Sequence, residues 1–215
     1  MVEGIKTVRE LLNSSLKVYR IYVTDSTVLE FKGDFVEVIS EGELKKMSGL
    51  STPNKVLGVF HFPVPEPLDF SDWIIALDDV RDPGNMGTII RLCDWFGIKS
   101  LLCSSNSVDC YNPKVLQATM GSITRVNIVY GDLKRIFSNS EVAVYGAFMD
   151  GVEVYKEKFP KRGILVMGNE ANGVSEAIEA LVEKKISIPQ FGPKTTESLN
   201  VATATAILLN EIRRG

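Results

Sequence analysis

The chain has 215 residues, 45% of them apolar and 24% charged, enough for a real core and one or two domains. No apolar run approaches a membrane span, the start Met1-Val2-Glu3-Gly4-Ile5-Lys6 lacks a signal peptide's apolar stretch, and Cys93, Cys103 and Cys110 show no CxxC spacing. A membrane protein, a disulfide framework and a metal site are therefore not expected, and the thiols fit a reducing, cytoplasmic setting. The net charge is −3, with 8 Lys and Arg against 10 Asp and Glu through residue 70 and 16 against 17 beyond it. Neither part has a basic footprint, so any affinity for nucleic acid must come from a local patch, a partner subunit or a few well-placed arginines.

In chain order, Ile5, Val8, Leu11 and Leu12 have helical spacing, and Val18 to Val23 and Phe35 to Ile39 are rich in strand formers. Ser40 and Glu43 make a capping box for a short helix through Met47, stopped by Gly49. Val56 to Phe62 closes a small α/β unit over residues 1–64. Alternating prolines in Pro63-Val64-Pro65-Glu66-Pro67 make residues 65–72 a stiff linker.

From residue 73 to 215 strands and helices alternate. The β-type runs are Trp73–Leu77, Lys99–Cys103, Val126–Tyr130, Val142–Phe148, Gly163–Met167 and Lys185–Ile188. Between them, Asn85 caps a helix with Met86, Ile89, Ile90, Cys93 and Phe96 on one face, ended by Gly97. Pro113 opens another, Ser175 caps Glu176–Val182, and a last helix runs from about Ser198 to Arg213. The alternation predicts an α/β fold with a mostly parallel sheet and helices on both faces, whose ligands gather beyond the carboxyl ends of the strands.

Three segments fall at such ends. In Asn85 to Arg91, the arginine lies off the apolar stripe and can reach a phosphate or ribose near the helix start; a cap plus a solvated surface arginine is the plainer alternative. In Gly168 to Gly173, a buried strand runs into glycine, carboxylate and glycine. Gly168 admits a close ligand, Gly173 a positive φ, and Glu170 is placed to pair with Arg91 or orient it. An ordinary strand-to-helix turn reads equally well. The third, Glu197-Ser198-Leu199-Asn200-Val201, opens a helix rich in Ala and Thr, where Ser198 or Asn200 can be simply the cap. A Rossmann GxGxxG is absent, and His61, the only histidine, lies in a strand-like Phe-His-Phe stretch that suggests no Ser-His-Asp site.

Together and in order, Asn85/Gly87/Arg91, Gly168/Glu170/Gly173 and Ser198-Leu199-Asn200-Val201 fill every fixed position of Asn-x-Gly-x-x-x-Arg, Gly-x-Glu-x-x-Gly and Ser-Leu-Asn-Val. Over residues 70–215 the chain thus resembles the SpoU (TrmH) branch of the SPOUT methyltransferases; the N-terminal unit more loosely resembles the L30e-like RNA-binding domain. The resemblance implies a C-terminal trefoil knot from about Ile164, a homodimer whose active site uses both subunits, and S-adenosylmethionine held mostly by backbone groups at Met167, Gly168, Ile188, Pro189 and Leu199. It also implies methylation of a ribose 2′-hydroxyl in structured RNA, with rRNA favoured over tRNA by the N-terminal unit. Asn85, Arg91, Glu170, Ser198 and Asn200 form the implied catalytic set. A guanidinium holds its proton too firmly to serve as a base, so Arg91 is read as a clamp on the phosphate and 2′-oxygen that stabilises developing alkoxide charge. Ala202 stands where many members have Ser, and Ala118 to Ile123 matches the usual small-residue segment only loosely. The alternatives are a knotted RNA-binding protein without catalysis, and methylation of a base nitrogen, against which Ser-Leu-Asn speaks.

Overall fold

The computed structural model describes all residues except 30, 32, 51, 193–197 and 215. The chain begins with β1 (Val2–Glu3), α1 (Ile5–Leu12), β2 (Val18–Val23), β3 (Val36–Val38), α2 (Glu41–Met47) and β4 (Val56–Phe60). These strands form a sheet in the order β1-β4-β2-β3, with β2 and β3 parallel and the other pairs antiparallel. Val8 and Leu11 of α1 are buried with Ile21, Val23 and Val56 of the sheet. The Ser40–Glu43 capping box at α2 is present in full.

The remainder runs β5 (Trp73–Leu77), α3 (Pro83–Trp95), β6 (Ser100–Cys103), α4 (Pro113–Thr119), β7 (Asn127–Tyr130), α5 (Leu133–Ser138), β8 (Val144–Glu153), β9 (Gly163–Met167), α6 (Glu176–Glu179), β10 (Lys184–Ser187) and α7 (Val201–Arg214). Its sheet has the order β10-β8-β9-β5-β6-β7, and every pairing is parallel. Because side chains alternate along a strand, β5 sends Trp73, Ile75 and Leu77 toward the core lined by α3, α4 and α7, and Ile74 and Ala76 toward α5 and α6. Strands covered on both faces read as continuous apolar runs, which is why β5 and β9 stand out in the sequence. Each fully buried Ile or Leu here contributes about 1.5–3 kcal/mol.

The order of strands positions the site. After β5, β6 and β7 step outward to one side. The chain then crosses to lay down β8, and β9 fills the gap between β8 and β5. The carboxyl ends of β5 and β9 therefore lie side by side.

The small sheet is tied to the large one. Their apolar residues form one cluster, and Arg125 bridges Asp94 at 2.8 Å and Glu10 at 3.4 Å. The Arg125 guanidinium, helped by the Ser122 hydroxyl, holds the Asp94 carboxyl below its usual range. Residues 61–69 contain no helix or strand, but the Glu66 amide and carbonyl both pair with the Asn127 side chain.

Several boundaries differ from expectation. α3 starts at Pro83, not after Asn85. Its cap is Asp82, whose Oδ1 accepts from the Asn85 amide at 2.8 Å, and proline's fixed φ suits the first helical position. α7 starts at Val201, α6 stops at Glu179, and β10 ends at Ser187. β1 and α5 were not anticipated: two residues carry no periodicity, and β1 exists because β4 pairs with it.

All three cysteines are free and buried. Burial pushes the Cys93 thiol up to about 12 and Cys110 to about 11, so neither is a thiolate near neutrality. The native protein is expected to leave all three unlabelled by a thiol reagent at pH 8, and denaturant to release all three; rapid native labelling would contradict this packing.

Candidate active site

β9 ends at Met167, whose carbonyl accepts from the Asp78 amide at 2.9 Å just beyond β5. The next six residues fold into a tight loop. Asn169 and Gly173 exchange both backbone hydrogen bonds at 2.9 Å, and Gly173 has φ +69°. The Asn169 side chain accepts from the Ala171 and Asn172 amides and donates to the Asp79 carbonyl at 2.7 Å. A Cβ on Gly168 would lie 2.1 Å from the Gly173 carbonyl carbon. The close approach that demands glycine at 168 is thus the loop's own backbone.

Glu170 points back to the start of α3. Its carboxylate accepts from the Asn85 amide side chain at 2.9 Å, and from the backbone amides of Asp82 at 3.3 Å and Arg81 at 3.4 Å. Asn85 in turn accepts from the Asn200 side chain at 2.8 Å. Asn200 Oδ1 caps α7, accepting from the Ala202 amide at 3.0 Å and the Thr203 amide at 3.2 Å. Members of all three sequence segments are joined in one hydrogen-bonded chain, Glu170–Asn85–Asn200. Being displaced from the cap to the first turn of α3 is what frees the Asn85 side chain for this role.

Arg91 stands apart. It is exposed on the outer face of α3, one and a half turns past Asn85, and has no ion pair among the described residues. Glu170 does not pair with it; that carboxylate is committed to the amides ahead of α3 and to Asn85.

Beside this network lies a cavity of about 530 Å³, a size suited to a small organic ligand. Met167, Gly168, Ile188, Pro189 and Leu199 all line it, as do Glu170, Ser198 and Asn200. Ala147, Phe148 and Met149 of β8 and Ala204 and Leu208 of α7 complete the walls; Asn85 and Arg91 are not among the lining residues. Apolar side chains alternating with turn backbone fit a nucleoside-like group: the side chains cover a flat base, and the peptide edges near Gly168 and Pro189 offer polar contacts. Glu197 lies outside the described residues.

Residues 72–210 match the model of the SpoU rRNA methylase family. The chain belongs to this family. It is 30% identical over 220 residues to the 23S rRNA (guanosine(2553)-2′-O)-methyltransferase RlmP of Bacillus subtilis, covering 99% of this chain and 88% of that protein. Among solved structures, a TrmH-family protein of Porphyromonas gingivalis superposes with a TM-score of 0.89 at 34% identity, covering 99% of this chain and 88% of that one. An rRNA methyltransferase of Sinorhizobium meliloti in its AdoMet-bound form gives a TM-score of 0.85 at 29% identity, covering 99% of this chain and 85% of that one.

Against the SpoU pattern, the sequence reading passed over Asn169 and the β8 wall. Asn169 had a local signal, since Asn ahead of a tight turn folds its side chain onto the amides that follow. Ala147, Phe148 and Met149 had none, because only the crossover of β8 brings them to the cavity. Gly87, the fixed glycine of the first segment, proves to be a packing position: a Cβ there would lie 2.5 Å from the Ala118 Cβ, so it sets the approach of α3 to α4.

Proposed function

We infer that this protein transfers a methyl group from S-adenosylmethionine to a ribose 2′-hydroxyl of ribosomal RNA. The observation that carries it is the Glu170–Asn85–Asn200 chain, which gathers the three SpoU segments at the rim of a cavity lined by Met167, Gly168, Ile188, Pro189 and Leu199. These five residues would hold the cofactor. When bound, S-adenosylmethionine supplies a methyl group on a positively charged sulfur.

The protein's own groups do the rest. Holding the reacting groups in line contributes much of the rate. Arg91 clamps the phosphate and the 2′-oxygen and stabilises the negative charge that grows there. Asn85, Glu170 and Asn200 fix the start of α3, and so the direction from which Arg91 reaches out. Ser198, exposed at the rim, is placed to contact the ribose.

A homodimer fits the same reading. Thr88, Arg91 and Trp95 form an exposed stripe on α3, and Trp95 is 83% exposed. An active site shared by two subunits would explain why Arg91 lies outside the lining of its own chain's cavity. Trp95→Glu is expected to turn a dimer into a monomer in sedimentation velocity and to remove activity with it; a dimer that persists would move the interface elsewhere.

We further propose a knot from about Ile164 onward, supported by the insertion of β9 between β8 and β5 and by the return of the chain past the Gly168 loop at Asn200. Residues 1–64 are assigned as an L30e-like RNA-binding domain, 65–72 as its linker and 73–215 as the knotted catalytic domain. The buried free thiols suit the cytoplasm. The deciding experiment is labelled methyl transfer to unmodified total RNA, with the 2′-O-methyl sites mapped by nucleotide. Incorporation into rRNA at a defined ribose is expected. RNA binding without transfer would favour the non-catalytic alternative, and label on a base the other.

A further inference from the structure

A chain of net charge −3 that acts on RNA gains from contacts that do not depend on overall positive charge, and exposed aromatic side chains offer them. Tyr19, at the bulge of β2, is 60% exposed, and Phe62, just beyond β4, is 70% exposed. They are not scattered. Tyr19 meets His61 edge-on with ring centroids 5.8 Å apart, and Phe62 tilts against Tyr111 at 4.7 Å. His61 and Phe62 are consecutive, so the two ring pairs adjoin along the chain, with Tyr111 half-buried against the core. The His61 amide donates to the Lys17 carbonyl at 2.9 Å, which fixes an exposed lysine two residues from Tyr19. Lys114, also exposed, follows Tyr111 at the start of α4.

From Tyr111, hydrogen-bonded loops connect to the start of α3. Tyr111 lies at the end of the loop after β6. In that loop the Val108 amide donates to the Val80 carbonyl at 2.9 Å, and the Ser104 hydroxyl accepts from the Asp79 amide at 2.9 Å. Arg81 and Asp82 come next in the chain and donate to Glu170.

We propose that Tyr19, His61, Phe62 and Tyr111 form a stacking track for unpaired bases of the RNA substrate, with Lys17 and Lys114 beside it for phosphates. The inference rests on the RNA methyltransferase reading above. Every base presents a flat face, so stacking on rings tolerates sequence and needs no net positive charge. That reconciles a net charge of −3 with an RNA substrate.

The test uses the full chain and two probes: a fluorescent oligouridylate of roughly ten nucleotides, and unmodified rRNA as methyl acceptor. Tyr19→Ala combined with Phe62→Ala is expected to weaken oligouridylate binding by about tenfold or more. KM for rRNA should rise in proportion, with kcat at saturating RNA and the affinity for S-adenosylmethionine unchanged. Tyr19→Phe with Phe62→Trp should keep wild-type binding, which separates stacking from damage to the fold. Unchanged oligouridylate affinity and KM in an alanine variant that still methylates rRNA would overturn the track alone. So would a loss of affinity traced to altered oligomeric state, which would make the rings a contact between copies. A wild-type chain that binds the probe through these rings yet methylates no RNA would leave the track standing and overturn the methyltransferase reading; one that does neither overturns both.

Discussion

Arg91→Ala is expected to lower methyl transfer to rRNA by about a hundredfold or more while S-adenosylmethionine affinity stays within about twofold. The split follows from where the side chain sits. Arg91 is absent from the cavity lining, and it makes no ion pair among the described residues that its loss would break. The fold should therefore be indifferent to the change, and so should a ligand bound by Met167, Gly168 and Leu199. On the role proposed above, what disappears is the cation that faces the growing charge on the ribose oxygen. Arg91→Lys should recover only part of the rate, because a point charge cannot grip phosphate and hydroxyl together as a planar fork can. Single-turnover rates and titration calorimetry on the same preparations decide it. Equal loss of rate and cofactor affinity would place Arg91 in the donor site and undo its assignment to the ribose.

Gly168→Val is expected to act in the opposite order, removing cofactor binding outright. Here the backbone of Gly173 and Val174 occupies the space a side chain would need, with atoms at 2.1 and 2.2 Å from an ideal Cβ. Real Cβ atoms do not approach so closely, so the 168–173 loop must open. That breaks the paired hydrogen bonds between Asn169 and Gly173 and draws Glu170 away from α3. The cost is about 3 kcal/mol or more, enough to appear as a lowered melting temperature alongside the loss of binding. Gly168→Ala should show the same pattern in weaker form. Unchanged affinity in calorimetry would mean that the cofactor is held somewhere other than the wall formed by Met167 and Gly168.

The parts of this molecule that follow local rules were legible before the fold was seen. Trp73–Leu77 and Gly163–Met167 are continuous apolar runs because both faces of each strand are covered, and both are found with the expected ends. The Ser40–Glu43 box needs only a four-residue pattern, and it forms. Elements that depend on distant partners were harder to read. β1 exists through β4, and the register shift in β10 at Lys185 depends on β8. At the site, the sequence singled out Asn85, Glu170 and Asn200 without the hydrogen bonds that join them. It offered Glu170 to Arg91, to pair with it or to orient it; direct pairing is not found, because the carboxylate goes to the amides ahead of α3 and to Asn85. Charge is visible in a sequence. The direction in which a helix start presents its N–H groups depends on which residue caps it, and that shifted from Asn85 to Asp82.

The Glu170–Asn85–Asn200 chain has a thermodynamic consequence. Glu170 and Asn200 face the cavity, and through Asn85 they also set the first turn of α3, whose outer side carries Arg91. On the proposed roles, a ligand that steadies the cavity rim would also steady the platform for the RNA, and the two occupants would be energetically linked. Such linkage is reciprocal: by whatever factor the methyl donor raises affinity for RNA, RNA raises affinity for the donor. After transfer the positive charge on the donor's sulfur is gone, and the same linkage then provides a route by which the spent cofactor loosens the hold on the methylated product.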